Sequence, residues 1–192
     1  MKIQSIGPLE SIGLVLAQTC NLPDKIIPKG SVITNEIVAY LKTGNVKTIL
    51  CAVPEEGDIH EDEAAEAISN AIDKSHLYAE RASTGRVNFK SQALCLVRYE
   101  RDLIRGVNLV DESIAFSIVE HNQLIAKNDL IATLKIIPFF TKKKYVDQVI
   151  KILAKDALFK IHSLKKKEVA LIQTCFEWQK KSIFTATSNV TR

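Results

Sequence analysis

The stretch Ile26-Ile27-Pro28-Lys29-Gly30-Ser31-Val32-Ile33-Thr34-Asn35-Glu36-Ile37-Val38-Ala39-Tyr40-Leu41 changes its period partway along, and that change decides how the chain is read. Two short apolar runs flank Pro28-Lys29-Gly30, where proline presets one turn angle and glycine relieves another, so the chain reverses between strands. Thr34-Asn35-Glu36 then supplies an N-cap, and Ile37, Val38 and Leu41 make the apolar face of a helix over 35–43 that Gly44 ends. Val46 to Val53 follows as a strand apolar enough to be buried on both faces.

Outward from this unit the two periods alternate. Alanine or isoleucine at 64, 65, 67, 68, 71 and 72 predicts a helix over 60–73 with a narrow small-residue face. Asp58, Glu61, Asp62 and Glu63 crowd its first turn, where carboxylates meet the positive end of the helix dipole. Of these, Asp58, Glu61 and Asp62 are also candidates for a partner or a metal. Beyond Tyr78 the pattern returns to strands at Val87–Phe89, Ala93–Val97, Ile114–Val119 and Leu130–Ile137, with Val107 to Glu112 as a link. Apolar residues at 145, 146, 149, 150, 152 and 153 predict a helix over 144–154. The fold class expected is α+β, mainly β, with two β-rich subdomains meeting around residues 74–84.

Bulk properties narrow the function. With 192 residues and 46% hydrophobic content the chain buries a sizeable core. A net charge of +4 with the lysines dispersed gives no footprint for a nucleic-acid partner. Residues 55–66 carry Glu55, Glu56, Asp58, Glu61, Asp62, Glu63 and Glu66 without a base, while Lys142–Lys144 and Lys165–Lys167 hold much of the positive charge. Cys20, Cys51, Cys95 and Cys175 form no C-x-x-C and read as buried thiols of a reducing compartment. No run is long and apolar enough for a signal peptide or a membrane span, so a cytoplasmic protein without a membrane partner is expected.

Glycine is scarce, seven in the chain and no two adjacent. Neither G-x-G-x-x-G nor a P-loop can be written, and H-E-x-x-H and G-x-S-x-G are absent. His60, His76, His121 and His162 are too scattered to specify a metal or a triad. The best positive candidate is Thr84-Gly85-Arg86-Val87-Asn88: glycine permits a turn, Arg86 offers a planar donor fork to carboxylate or phosphate, and Asn88 bridges backbone or ligand. The alternative is a plain turn in which Arg86 pairs with a local acid and Asn88 closes the backbone. Lys135 at the end of a strand is a weaker candidate, more often solvated than functional. Asn108, Asp111 and Glu112 read as turn formers first.

Four segments in order carry a resemblance: Gly57 to Ala65, Thr84 to Asn88, Ala132-Thr133-Leu134-Lys135-Ile136-Ile137-Pro138-Phe139, and Val169 to Thr174. Together they resemble the N-terminal module of molybdopterin-binding proteins of molybdenum-cofactor biosynthesis, a family related to molybdopterin molybdenumtransferase, over about residues 5 to 175. The order strand, turn, strand, helix, glycine, strand is also similar to small β-rich modules of the SAF type. Ile125 to Ile136 resembles a lipoyl- or biotinyl-type barrel repeat, although Lys135 is not placed as a carrier lysine.

The resemblance implies a SAF-like subdomain with the acidic helix over residues 1–76, a barrel-like subdomain with its following helix over 77–160, and over 161–192 the incomplete start of a molybdopterin-binding domain. It implies molybdopterin or the molybdenum cofactor in the full-length context and none for this chain alone, because the Thr-Gly-Gly-Ser-type phosphate loop of that domain has no counterpart here. Arg86, Asn88 and Lys135 are the cofactor-binding candidates. The expected partner is a molybdopterin-binding domain in cis or trans, with a homodimer as a further possibility, since Val169 to Gln173 is apolar enough to demand burial. The end departs from the family: Thr185-Ala186 replaces an Asp-Lys pair, and a Pro-Gly turn is missing. Two other functions stay open, a stand-alone assembly protein derived from the module, and a small enzyme using Arg86, Asn88, Asp111 and Lys135.

Overall fold

The computed structural model describes residues 1–165 together with 167, 168, 170 and 172. In chain order the elements are β1 (Lys2–Ile6), β2 (Val15–Leu16), β3 (Cys20–Asn21), β4 (Ile26–Ile27), α1 (Asn35–Thr43), β5 (Ile49–Val53), β6 (Asp58–His60) and α2 (Glu61–Asn70). There follow β7 (Leu77–Ala79), β8 (Arg86–Ser91), β9 (Cys95–Tyr99), α3 (Arg101–Asn108), β10 (Ile114–Ile118), β11 (Gln123–Ile125) and β12 (Leu130–Ile136). Last come β13 (Phe140–Lys142), α4 (Lys143–Leu153) and β14 (Phe159–Ser163). The described residues are mainly β, with four helices. No helix among them is long and apolar enough to cross a membrane.

The smaller of two cores forms around the strand-turn-helix unit. Thr34 caps α1, its hydroxyl accepting from the Ile37 N–H at 3.3 Å, and the Gly44 N–H closes the far end on the Tyr40 carbonyl at 3.0 Å. Val38 and Leu41 then point at Leu16, Ile27, Ile33, Ile49 and Cys51. Gly30 sits at φ +86°, a backbone conformation glycine adopts without steric cost, and its N–H reaches the Leu16 carbonyl at 2.7 Å. Strand β5 is the middle of the sheet β1-β5-β2. Its burial is one-sided at Leu50, which is exposed.

The larger core gathers Ala64, Ala65 and Ile68 of α2, Val87 and Phe89 of β8, Leu134 and Ile136 of β12, and Val146, Val149 and Leu153 of α4. Phe89, Phe116 and Phe159 meet at its centre with ring centroids 6.0, 6.1 and 6.3 Å apart. The acidic helix α2 thus contributes to the core of residues 59–161 by packing on α4, β8 and β12.

The barrel-like expectation is corrected. The strands form open sheets in the orders β10-β12-β8-β7 and β11-β9-β14, with β13-β6 and β3-β4 as two-stranded pairs, and none closes on itself among the described residues. Strand β9 leaves the β8 sheet to pair with β11 and β14. Closure at the β10 margin is taken up by a side chain: the Asn108 amide donates to the Phe116 carbonyl at 2.9 Å and accepts from the Phe116 N–H at 2.7 Å. Helix α3, which carries Asn108, was not expected from the sequence, and the expected link of Val107 to Glu112 begins in its last two residues. The segment Val169 to Gln173 lies outside the described residues.

Candidate functional site

The Thr84-Gly85 pair is a two-residue hairpin connection. Ser83 and Arg86 exchange both backbone hydrogen bonds at 3.1 Å, and Thr84 and Gly85 have φ of +51° and +69°. Positive φ at both central residues marks a type I′ turn, which matches the twist of the flanking strands but suits Asn-Gly far better than a β-branched threonine.

Three side chains from distant sequence hold this turn. The Asp62 carboxylate accepts from the Gly85 N–H at 2.6 Å. Lys135 on β12 donates to the Thr84 carbonyl and to Glu61 Oε2, the latter at 3.2 Å. Glu61, whose side chain is 8% exposed, presses so closely on Gly85 that a Cβ there would lie 2.5 Å from its Oε2 and 2.7 Å from the Ile136 carbonyl oxygen. Glu61 and Asp62 stand at the start of α2, which His60 caps through Nδ1, accepting from the Asp62 N–H at 3.3 Å.

Clamped in this way, the turn presents Arg86. Its side chain is exposed and makes no ion pair or side-chain hydrogen bond among the described residues, so the expected alternative of a local acid partner is not realised. Arg86 lies directly opposite Lys135 in the β8–β12 ladder. Asn88, one row further, does not close backbone. Its amide donates to Glu80 at 2.9 Å and accepts from the Thr133 hydroxyl at 3.0 Å, while Lys90 also pairs with Glu80. Hydrogen bonds from Lys90 and Asn88 hold the Glu80 carboxyl below the usual carboxylate range.

The remaining candidates are engaged elsewhere. Asp58 lies on β6 rather than in the helix's first turn. Its side chain is 1% exposed, and it meets Lys142 at 2.7 Å and the Met1 amino group at 2.8 Å. Burial pushes its pKa up, but Lys142, that amino group and the Glu55 N–H together outweigh burial and hold it at about 2. Asp111 accepts from the Ser113 N–H at 3.0 Å, and burial is again outweighed, here by hydrogen bonds from Ser113 and Tyr145, so its carboxyl sits below the usual range. Among the described residues no hydrogen bond or ion pair joins it to Arg86, Asn88 or Lys135. Among the described residues no group of three or more His, Cys, Asp or Glu side chains is placed to hold a metal ion.

Sequence reasoning found the turn, Arg86, Asn88 and Lys135, and named Glu61 and Asp62 for other reasons. It missed that the last two grip Gly85. No family model matches the chain, and no curated protein or solved structure does.

Proposed function

We propose that the chain is an accessory module of a molybdopterin-binding protein in molybdenum-cofactor biosynthesis, and that it contributes Arg86 to the anionic end of the pterin. It works beside a molybdopterin-binding domain supplied in cis or trans. One observation carries the reading: an exposed, unpaired guanidinium on a hairpin turn that Glu61, Asp62 and Lys135 fix in place. A free surface arginine on a mobile loop needs no such scaffold. A planar donor fork on a rigid support loses little entropy when it meets an oxyanion. The resemblance of the four quoted segments supplies the identity of the ligand. The β1-β5-β2 sheet with α1 beside it supports a SAF-like first subdomain.

The test is a titration of the isotopically labelled chain with molybdopterin, followed by amide shifts. Shifts should move at Thr84, Gly85 and Arg86 with a dissociation constant weaker than about 1 μM, since the chain lacks the paired-glycine loop such phosphates use. Arg86→Ala should remove them and leave the melting temperature nearly unchanged. Undisturbed amides at 84–86, or a Arg86→Ala variant that binds as before, rejects the proposal.

A further inference from the structure

We infer that the group received at the Arg86 turn is a terminal phosphate, gripped at two points, by the guanidinium of Arg86 and by the ammonium of Lys135. This rests on the Arg86 reading above and names the ligand chemistry that the reading requires. The two residues face each other in the β8–β12 register, and side chains so paired leave the same face of the sheet with their Cβ atoms about 5 Å apart. On its other side Lys135 is opposite Ala115, so only a methyl group borders it there.

An ammonium carries three donors. Among the described residues two are used, by the Thr84 carbonyl and by Glu61, and the Lys135 side chain remains 31% exposed. The third donor is free for a ligand. Two like charges directly across a ladder repel, which would drive a loose lysine away from Arg86. Glu61 offsets that repulsion from a nearly buried position and helps hold the ammonium at the turn that carries Arg86. Glu61 is therefore a positioning residue. Asp62 does not compete for the ammonium, because its carboxylate is turned to the Gly85 N–H.

The shape of the grip selects the ligand. A planar carboxylate has two oxygens, and the arginine fork takes both. A phosphate has a third oxygen out of that plane, and Lys135 is placed to receive it. Oxygen number, more than charge alone, separates the two.

The experiment titrates the full chain and its variants with methyl phosphate, inorganic phosphate and acetate, followed by amide shifts at residues 84–86. Lys135→Met should weaken methyl phosphate about tenfold more than it weakens acetate, the size of one charge-assisted hydrogen bond, because the loss of the Thr84 tether acts on both ligands and the loss of the third donor on phosphate alone. Glu61→Gln should weaken methyl phosphate severalfold, and again more than acetate. Because Lys135→Met strands Glu61, the double variant Glu61→Gln/Lys135→Met repeats the comparison with no charge left unpaired. Equal loss of both ligands in these variants, or loss of neither, overturns the two-point grip while Arg86→Ala still abolishes binding. Phosphate binding that survives Arg86→Ala overturns the Arg86 reading itself, and absence of any saturable shift overturns both. Tighter binding of methyl phosphate than of inorganic phosphate identifies an ester as the ligand, and the reverse the free ion; either outcome keeps the grip.

Discussion

The carboxylate of Asp62 accepts a hydrogen bond from the backbone of Gly85 at 2.6 Å, across 23 residues of sequence. The first turn of α2 thereby takes over part of the work of shaping the turn that leads into β8. Its carboxylates face the turn as well as the helix dipole.

Gly85→Ala is expected to be one of the costlier single substitutions. The new Cβ meets Glu61 and the Ile136 carbonyl at 2.5 and 2.7 Å, on a backbone already at φ +69°. A loss of about 2 to 4 kcal/mol should appear in denaturant unfolding. Gly57→Ala is the control, with a similar φ of +77° and nothing within 4 Å, and should cost about 1 kcal/mol. Equal costs would show that the clamp exerts no steric pressure.

Thr84→Asn should stabilise. The left-handed backbone at Thr84 is strained for a β-branched residue and natural for asparagine at the first position of a type I′ turn. A gain of about 1 kcal/mol, or about 2 to 4 °C in melting temperature for a chain of this size, is expected in calorimetry. A lower melting temperature would mean that Thr84 contributes packing that outweighs its strain.

Lys135→Met should destabilise by about 2 kcal/mol, because it leaves the nearly buried Glu61 carboxylate without its cation. The double variant Glu61→Gln/Lys135→Met should recover at least half of that. Additive losses in the cycle would show that the two side chains are not coupled.

Asp58 sets an acid limit. Its pKa in the folded chain is about 2 against an ordinary 3.8, so the folded state holds this proton more weakly than the unfolded state. Its contribution, roughly 2 kcal/mol, is fully present above about pH 4 and is lost as pH falls from about 4 to about 2. Asp58→Asn should lower stability at pH 7 and flatten the dependence in that window, measured by urea midpoints.

Three of the four helices were legible because their apolar residues recur at helical spacing: 35–43 is found at Asn35–Thr43, 60–73 at Glu61–Asn70 and 144–154 at Lys143–Leu153. Helix α3 was not. It is eight residues long, contains Gly106, ends in Asn108 and lacks a capping side chain, so its few apolar residues announce no helical period. Its register is held from outside, by α4 packing and by the bond from Asn108 to Phe116. The barrel reading failed for a related reason. Alternating runs announce strands but do not say which strand sits beside which, and β9 chose β11 and β14.

The site divides in the same way. Thr84-Gly85-Arg86 announces a turn and a fork in adjacent residues, and both are found. The clamp joins positions 23 and 51 residues apart for Asp62–Gly85 and Lys135–Thr84, and 74 for Lys135–Glu61, and no local pattern encodes such pairs. Lys135 therefore read as a solvated end-of-strand lysine and is instead tethered.

The amide of Asn108 has a consequence for the chain in crowded solution. The margin of a β-sheet is a template on which the backbone of another molecule can polymerise. At β10 the Phe116 N–H and carbonyl are already spent on one asparagine, and the Ile114 N–H on the Asp111 carbonyl. Fibrous growth from this sheet is thus directed to the opposite margin, where β7 offers only the three residues Leu77–Ala79. A single side chain serves as a stopper against runaway self-assembly.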